Sequence, residues 1–141
     1  MGKKILVING PNLEMLGKRD KSTYGDFSLE SLEKLITEEA NTLGCQVEFF
    51  QNNIEGEIIN HIHESKDFDG IILNAAAYTH TSVGIADAVK SIDSKVIEVH
   101  ISNTYSREEF RHNSFLSPVV NGIIIGFGLD SYRLAIESLI N

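Results

Sequence analysis

The hydrophobic positions of this chain fall into short continuous runs that alternate with longer runs of helical spacing. Residues 5–8, Ile-Leu-Val-Ile, form one continuous run. Such a run is typical of a strand buried on both faces and predicts a first strand over 3–9. After Ser28, a preferred N-cap residue, apolar side chains recur every three or four positions until Gly44. This spacing predicts a helix that begins after Ser28 and ends before Gly44.

The same alternation continues along the chain and predicts the fold. Strands separated by helices indicate a parallel sheet with helices on both faces, joined by right-handed crossovers. Five such units favour an open, flavodoxin-like sheet over an eight-unit barrel, which needs a far longer chain than 141 residues. Residues 1–141 are predicted to form a single domain. The further predicted strands cover 47–51, 70–74, 95–101 and 122–126, and the further predicted helices cover 56–65, 82–91 and 129–140.

The connection from Gly10 to Phe27 is much longer than the roughly 2–6 residues that usually join a strand to a helix. It carries Arg19, Asp20, Lys21 and Tyr24. A long charged connection of this kind predicts a flap over a binding site. The alternative is an exposed loop without a functional role.

Composition and charge exclude several classes of partner. The net charge of −8 and a pI near 5.0 argue against a nucleic-acid surface, which needs clustered basic residues. No apolar run approaches the roughly 20 residues needed to span a bilayer. The apolar run at 5–8 is too short for a signal peptide, so we expect a soluble, cytoplasmic protein without a membrane partner. The lone Cys45 excludes an internal disulfide and a multi-cysteine metal cluster. It is expected to pack in the interior, and a role as a nucleophile is the alternative.

Polar residues follow the predicted strands at the points where those strands end. Asn9 and Asn12 follow the first strand, Asn74 ends the third, and His100 and Ser102 end the fourth. In parallel sheets, ligands bind outside the carboxyl ends of the strands, so we expect these side chains to share one edge. A turn or cap role is open for each of them, and for Asn9 it is the favoured interpretation.

Two pairs of charged residues near this edge suggest chemistry. Glu98 lies two positions before His100 and therefore on the same side of the strand. A carboxylate so placed can orient an imidazole and stabilise its protonated form, although a structural histidine remains equally open. Arg107 and Arg111 are four apart and would share a face of a short helix. They could hold a carboxylate, or they could face solvent.

Several chemistries lack the residues that they require. There is no GxxxxGK[ST] phosphate loop, and the Gly126-Phe127-Gly128 segment lacks the third glycine of a dinucleotide fingerprint. His61 and His63 are two apart on a predicted helix, so they diverge and make poor joint metal ligands. These features give no indication of a phosphate loop, a dinucleotide site or a metal site.

The ordered motifs of the chain resemble those of type II 3-dehydroquinate dehydratases over nearly its whole length. This resemblance implies an anti elimination of water from 3-dehydroquinate, giving 3-dehydroshikimate in the shikimate pathway without a metal or cofactor. The motifs are Asn9-Gly10-Pro11-Asn12-Leu13, Arg19, Tyr24-Gly25, Ala77-Tyr78-Thr79-His80-Thr81-Ser82, Glu98-Val99-His100-Ile101-Ser102-Asn103, Arg107-Glu108-Glu109-Phe110-Arg111, Ser117-Pro118 and Gly126-Phe127-Gly128.

The resemblance implies a catalytic role for five residues. Tyr24 corresponds to the base, and Arg19 corresponds to the cation that stabilises its phenolate. Asn12 is similar to the residue that stabilises the enolate. His100, held by Glu98, corresponds to the acid that protonates the leaving hydroxyl.

The resemblance also implies a substrate-binding set and an assembly. The backbone of Ile101 and the hydroxyl of Ser102 correspond to a carboxylate site, and Arg107 to a second positive charge near the base. Asp87 matches a residue that reaches a neighbouring subunit's site, which implies a dodecamer built from trimers. The residues that match the groups binding the ring hydroxyls are Asn74, His80 and Arg111.

The chain departs from the family pattern at a few positions. Asn74-Ala75-Ala76 replaces the usual Asn-Pro-Gly, and Ala76 lacks the access of glycine to positive φ. Arg19-Asp20-Lys21 stands where Arg-Glu-Pro is commoner, and Ile54 and Tyr105 stand where histidines are frequent. These departures put flap dynamics and substrate affinity in question. The alternative functions are an inactive small-anion-binding module and a flavin-binding electron carrier of the same fold.

Overall fold

The computed structural model describes residues 2–18 and 27–141, and every structural statement below concerns those residues. The predicted flap, with Arg19 and Tyr24, falls largely outside them. The strands are β1 Lys4–Asn9, β2 Gln46–Gln51, β3 Gly70–Asn74, β4 Lys95–His100 and β5 Gly122–Ile125. The helices of the described ranges are α1 Leu29–Leu43, α2 Glu55–His63, α3 Val83–Lys90 and α4 Asp130–Ile140.

The five strands form one parallel sheet in the order β2-β1-β3-β4-β5. Ile5 of β1 lies opposite Val47 of β2 and Gly70 of β3, which fixes the register at the centre. The order 2-1-3-4-5 is that of flavodoxin-like proteins, so the predicted fold class is confirmed. Each element begins and ends within two residues of its prediction.

The core lies on both faces of the sheet because alternate residues of the central strands point in opposite directions. On one face, Ile5 and Val7 of β1 pack with α1 and α4, whose buried residues include Ile36 and Ile136. On the other face, residues such as Leu6 and Ile8 pack with α2 and α3. Each such fully buried side chain contributes about 1.5–3 kcal/mol. The continuous apolar run of β1 therefore serves two separate cores.

Helix α1 begins and ends where the sequence indicates. The Ser28 hydroxyl accepts a hydrogen bond from the Ser31 N–H at 3.1 Å, and the Ser31 hydroxyl oxygen accepts one from the Ser28 N–H at 2.9 Å. This reciprocal capping box satisfies two backbone donors at the helix start. At the other end Gly44 adopts φ 74°, and its N–H donates to the carbonyl groups of Ala40 and Asn41. A residue with a Cβ is disfavoured in this conformation.

The loops that follow β1 and β3 approach each other closely. The Gly10 N–H donates to the Asn74 carbonyl at 2.8 Å. A Cβ at Gly10 would lie 2.5 Å from the carbonyl oxygen of Ala75, so a larger residue would push the two loops apart. This contact brings Asn12 and Asn74 to the same edge of the sheet.

Over the described residues, no helix is long and apolar enough to cross a bilayer.

Ala76 adopts φ 54°, in the left-handed region that disfavours residues with a Cβ. The sequence identified Ala76 as a position where the family has glycine, and the backbone conformation explains that preference. The Ala76 N–H donates to the Asn74 side-chain oxygen at 3.1 Å, which holds the strained residue in place. Strain of this kind costs about 1–2 kcal/mol.

We predict that Ala76→Gly raises the free energy of unfolding by about 0.5–1 kcal/mol, because relief of strain exceeds the added entropy of the unfolded chain. Chemical denaturation of the purified variant would measure this change. Ala77→Gly is the matched control, because Ala77 is the next residue and does not have positive φ. The control should lower stability, by about 0.5 kcal/mol. A loss of stability in Ala76→Gly as well would contradict the assignment of strain.

Candidate active site

A cleft of about 140 Å³ opens at the carboxyl edge of the sheet, where the segments after β1, β3 and β4 meet. This is the edge at which the sequence predicts a binding site, and most of the predicted residues line it. His100 ends β4 and reaches the cleft with 6% of its surface exposed. The predicted residues that line the cleft are Asn12, Asn74, His80, His100, Ile101, Ser102, Arg107 and Arg111.

Other predicted residues lie elsewhere. Glu98 is behind His100, only 1% exposed, and does not line the cleft. Asp87 is exposed on α3 and is also not a lining residue. Tyr24 and Arg19 lie outside the described residues.

Glu98 and His100 form a close buried pair. Nε2 of His100 lies 2.6 Å from Oε2 of Glu98. The hydroxyl of Ser114 donates to Oε2 at 2.9 Å, and the hydroxyl of Ser117 donates to Oε1 at 2.7 Å. Burial alone would raise the pKa of Glu98, but the hydrogen bonds from His100, Ser117 and Ser114 outweigh it and lower that pKa. The carboxylate is therefore ionised at neutral pH.

His80 is held as a neutral ring by its surroundings. Its Nδ1 lies 2.7 Å from the carbonyl oxygen of Asn113, and its ring stacks on that of His100 with centroids 6.5 Å apart. Burial lowers the pKa of His80, and the neighbouring His100 and Arg111 lower it further against the opposing effect of the Asn113 contact. His80 is therefore neutral at pH 7, beside a histidine whose partner is a carboxylate.

The two arginines share the cleft but not a helix, so that structural prediction is wrong. Arg107 follows the single turn Thr104–Ser106, and Arg111 ends the separate turn Glu109–Arg111. The intervening extended residue reorients the chain, which is why helical spacing fails here. Nη1 of Arg107 lies 3.4 Å from the Ser102 hydroxyl, within hydrogen-bonding distance. Two guanidinium groups beside a hydroxyl make this side of the cleft suitable for an anion.

Asn74 is fixed by a buried network that the sequence did not indicate. Its Nδ2 donates to the Tyr132 hydroxyl at 2.8 Å, and that hydroxyl donates to Oδ1 of Asn9 at 2.6 Å. Complete burial raises the pKa of Tyr132 far above its ordinary value, so the hydroxyl stays protonated. Asn9 is thus a buried strand residue, and the favoured interpretation as a turn or cap residue is wrong.

Asn12 is also positioned by a partner that the sequence did not indicate. It adopts φ 69°, a left-handed conformation that asparagine tolerates better than most residues. Its N–H donates to Oδ1 of Asn53 at 2.9 Å, and Nδ2 of Asn53 donates to Glu14 at 2.7 Å. The hydroxyl of Tyr78 donates to the Asn53 carbonyl at 2.7 Å. Asn53 therefore ties the segment after β1 to the segment after β3.

The described part of the chain contains no cluster of three or more His, Cys, Asp or Glu side chains with metal-binding geometry. His61 stacks on Phe50 with ring centroids 3.7 Å apart, whereas His63 is exposed. The two side chains have different surroundings, as their spacing predicts.

Comparisons with known proteins agree with this geometry. The chain is 52% identical over 139 residues to the 3-dehydroquinate dehydratase of Caldicellulosiruptor bescii, which covers 97% of this chain and 96% of that relative. It is 49% identical over 138 residues to catabolic 3-dehydroquinase 1 of Fusarium vanettenii, covering 97% and 96% of the two chains. The crystal structure of the type II dehydroquinase from Butyrivibrio crossotus superposes with a TM-score of 0.98, at 49% identity and 99% coverage of both chains.

The family model described as dehydroquinase class II matches residues 3–140, which is nearly the whole chain. The resemblance inferred from the motifs is therefore confirmed by sequence and by structure. This chain belongs to the class II dehydroquinase family.

Proposed function

We propose that this protein is a type II 3-dehydroquinate dehydratase, a hydro-lyase that converts 3-dehydroquinate to 3-dehydroshikimate by anti elimination through an enolate. The observation that supports this function most strongly is the buried Glu98–His100 pair, 2.6 Å apart, whose histidine lines the same cleft as two arginines. We further propose that residues 1–141 act as one catalytic domain in the cytoplasm. Two relatives with about the same sequence identity to this chain carry different names, and one of them is named as catabolic. We therefore propose the reaction and not the pathway that it serves.

We propose Tyr24 as the base that removes the proton alpha to the ketone. A tyrosine with the ordinary pKa near 10 is about 0.1% ionised at pH 7, and a nearby guanidinium favours the phenolate. Lowering a tyrosine pKa by about 2 units requires about 2.7 kcal/mol, which one close charge in a dry site can supply. Arg19 is the residue proposed for that role, with Arg107 as a second positive charge.

His100 is proposed as the acid that protonates the leaving hydroxyl. The ionised Glu98 beside it stabilises the imidazolium form, which can give up a proton at the other ring nitrogen. Asn12 is proposed to stabilise the enolate oxygen, since it lines the cleft and its backbone N–H is held by Asn53. No step of this sequence calls for a metal or a cofactor.

The remaining lining residues are proposed to bind the substrate. The backbone of Ile101 and the hydroxyl of Ser102 would hold the carboxylate. The ring hydroxyls would contact Asn74, His80 and Arg111. Neutral His80 suits this task because it can accept a hydrogen bond from a hydroxyl through Nε2.

Asp87 is proposed to act in the site of a neighbouring subunit, in a dodecamer built from trimers. Its exposed position on α3, apart from the cleft of its own chain, supports a role across an interface. Val83 lies one turn earlier on α3 and is 55% exposed, so this face combines an apolar residue with a carboxylate. A subunit interface would cover both.

We expect a rise in enone absorbance when 3-dehydroquinate is added to the metal-stripped protein. Tyr24→Phe should abolish nearly all of that turnover while preserving substrate binding, because the phenol oxygen alone is lost. Tight binding without turnover by the wild-type protein would instead favour an inactive small-anion-binding module. A yellow preparation with flavin absorbance would favour an electron carrier. Near-normal turnover by Tyr24→Phe would exclude Tyr24 as the base.

The shared site can be tested by mixing subunits. We expect Asp87→Ala and His100→Ala each to be inactive, and their co-refolded mixture to regain about a quarter of wild-type activity. In that mixture about one site in four combines an intact His100 with an intact Asp87 from its neighbour. The control mixture of Tyr24→Phe with His100→Ala should stay inactive, because both groups come from one chain.

Recovery confined to the first mixture, together with a trimer-based mass in light scattering, is the expected result. A monomeric mass at micromolar concentration, or no recovery in either mixture, would contradict the role proposed for Asp87.

A further inference from the structure

One short segment, residues 113–117, contacts His80 directly and also contacts Glu98, the partner of His100. We call it the serine segment. The carbonyl oxygen of Asn113 lies 2.7 Å from Nδ1 of His80. The hydroxyls of Ser114 and Ser117 donate to Glu98, the partner of His100. The Phe115 N–H donates to the Thr79 carbonyl at 2.9 Å and fixes the segment beside His80.

The hydrogen bonds that the Ser114 oxygen accepts determine where its hydroxyl proton points. The Ser114 oxygen accepts the N–H groups of Leu116 and Ser117, each at 3.1 Å. Both lone pairs of the oxygen are then used, so its single proton points to Oε2 of Glu98. Ser117 donates to the other carboxylate oxygen, Oε1, at 2.7 Å. The two serines therefore fill both sides of Glu98 with donors.

This arrangement determines where the proton of His100 lies. A carboxylate that accepts from two hydroxyls is held in its ionised, acceptor form. Nε2 of His100, at 2.6 Å from Oε2, must then be a donor and carry hydrogen. Nδ1 is the ring nitrogen that remains for the bound molecule, and it carries a proton in the imidazolium form.

The serine segment also determines which ring nitrogen of His80 carries the proton. A carbonyl oxygen can only accept, so Nδ1 of His80 carries hydrogen when it contacts Asn113. In the neutral ring Nε2 then has a lone pair and acts as an acceptor. The rings of His80 and His100 are 6.5 Å apart, and a second positive charge at that distance is unfavourable.

On the basis of the proposed function, we propose that the serine segment assigns opposite proton roles to the two histidines. It holds His100 as the Nε2–H donor to Glu98, so that the Nδ1 proton of the imidazolium passes to the leaving hydroxyl as the C–O bond breaks. The bonding electrons leave with the oxygen as water, and His100 remains neutral with Nε2–H in place. His80 accepts a substrate hydroxyl through Nε2. Ser114 and Ser117 are positioning residues, since they act through Glu98.

A pH profile distinguishes this role from simple packing. The other ionisable side chains that line the cleft in the described ranges are His80, Arg107 and Arg111. Ser117 favours ionised Glu98, so its removal should raise the pKa of that carboxyl. The Glu98 carboxyl would then take up its proton at a higher pH as the solution is acidified.

The test compares Ser117→Ala with Ser117→Thr, which keeps the hydroxyl, and with Ser91→Ala. Ser91 is the matched control because its hydroxyl donates to the Ala88 carbonyl beside it, away from the cleft. We expect Ser117→Ala to lower kcat about tenfold with KM within about twofold, and to move the titration midpoint of the Glu98 carboxyl, followed by carbon NMR of the labelled side chain, up by about one pH unit. Ser117→Thr should keep most of the wild-type kcat and a pH midpoint close to that of the wild-type enzyme. Ser91→Ala should match the wild-type enzyme in both quantities.

An unchanged titration of the Glu98 carboxyl in Ser117→Ala, whether or not kcat falls, would overturn the assignment. Neutron diffraction from crystals grown of the wild-type protein would test it without any variant that must fold. Deuterium is expected on Nε2 of His100 and on Nδ1 of His80, with Nε2 of His80 bare. The reverse pattern would overturn the assignment even if the enzyme turns over. Absence of wild-type turnover with the expected pattern would instead count against the proposed function.

Discussion

The constraint on which the site depends is the negative charge of Glu98, buried in the interior at the end of β4. A carboxylate with 1% of its surface exposed is costly unless donors surround it. The donors come from His100, two positions away on the same strand, and from Ser114 and Ser117 on the segment that leads back to β5. Satisfying the charge therefore orients the imidazole and also fixes one wall of the cleft.

The opposite wall depends on close packing of backbone. Gly10 lets the segment after β1 approach the segment after β3, and the Asn74–Tyr132 hydrogen bond anchors the second segment to α4. Two residues beside the cleft, Asn12 and Ala76, have positive φ. Strain at such positions persists where the surroundings hold it, as the partners of both residues do here. The cleft is thus built from local conformations that the fold imposes.

The fold and most of the site could be predicted because their signals are local. Buried strands, the capped helix α1 and the polar residues at the strand ends each lie within a short stretch, and parallel topology brings those ends together. The partners of the site residues could not be predicted, because Tyr132 and Asn9 are separated by 123 positions and Ser117 and Glu98 by 19. Ser117-Pro118 belonged to the recognised motifs but carried no indication of its partner. The prediction from the spacing of Arg107 and Arg111 was wrong because it assumed one continuous helix.

Replacement of Glu98 by glutamine tests most directly whether the buried charge drives the chemistry. Glutamine keeps the shape and its amide oxygen can still accept from one of the two serines, but its amide nitrogen cannot accept, and the neutral group cannot stabilise an imidazolium as a carboxylate does. Turnover of 3-dehydroquinate by Glu98→Gln should fall by a factor on the order of 10³–10⁴, with substrate binding and the folded state retained. Turnover within a few-fold of wild type would contradict the account, since the carboxylate would then be a structural anchor and His100 would need another source of its proton.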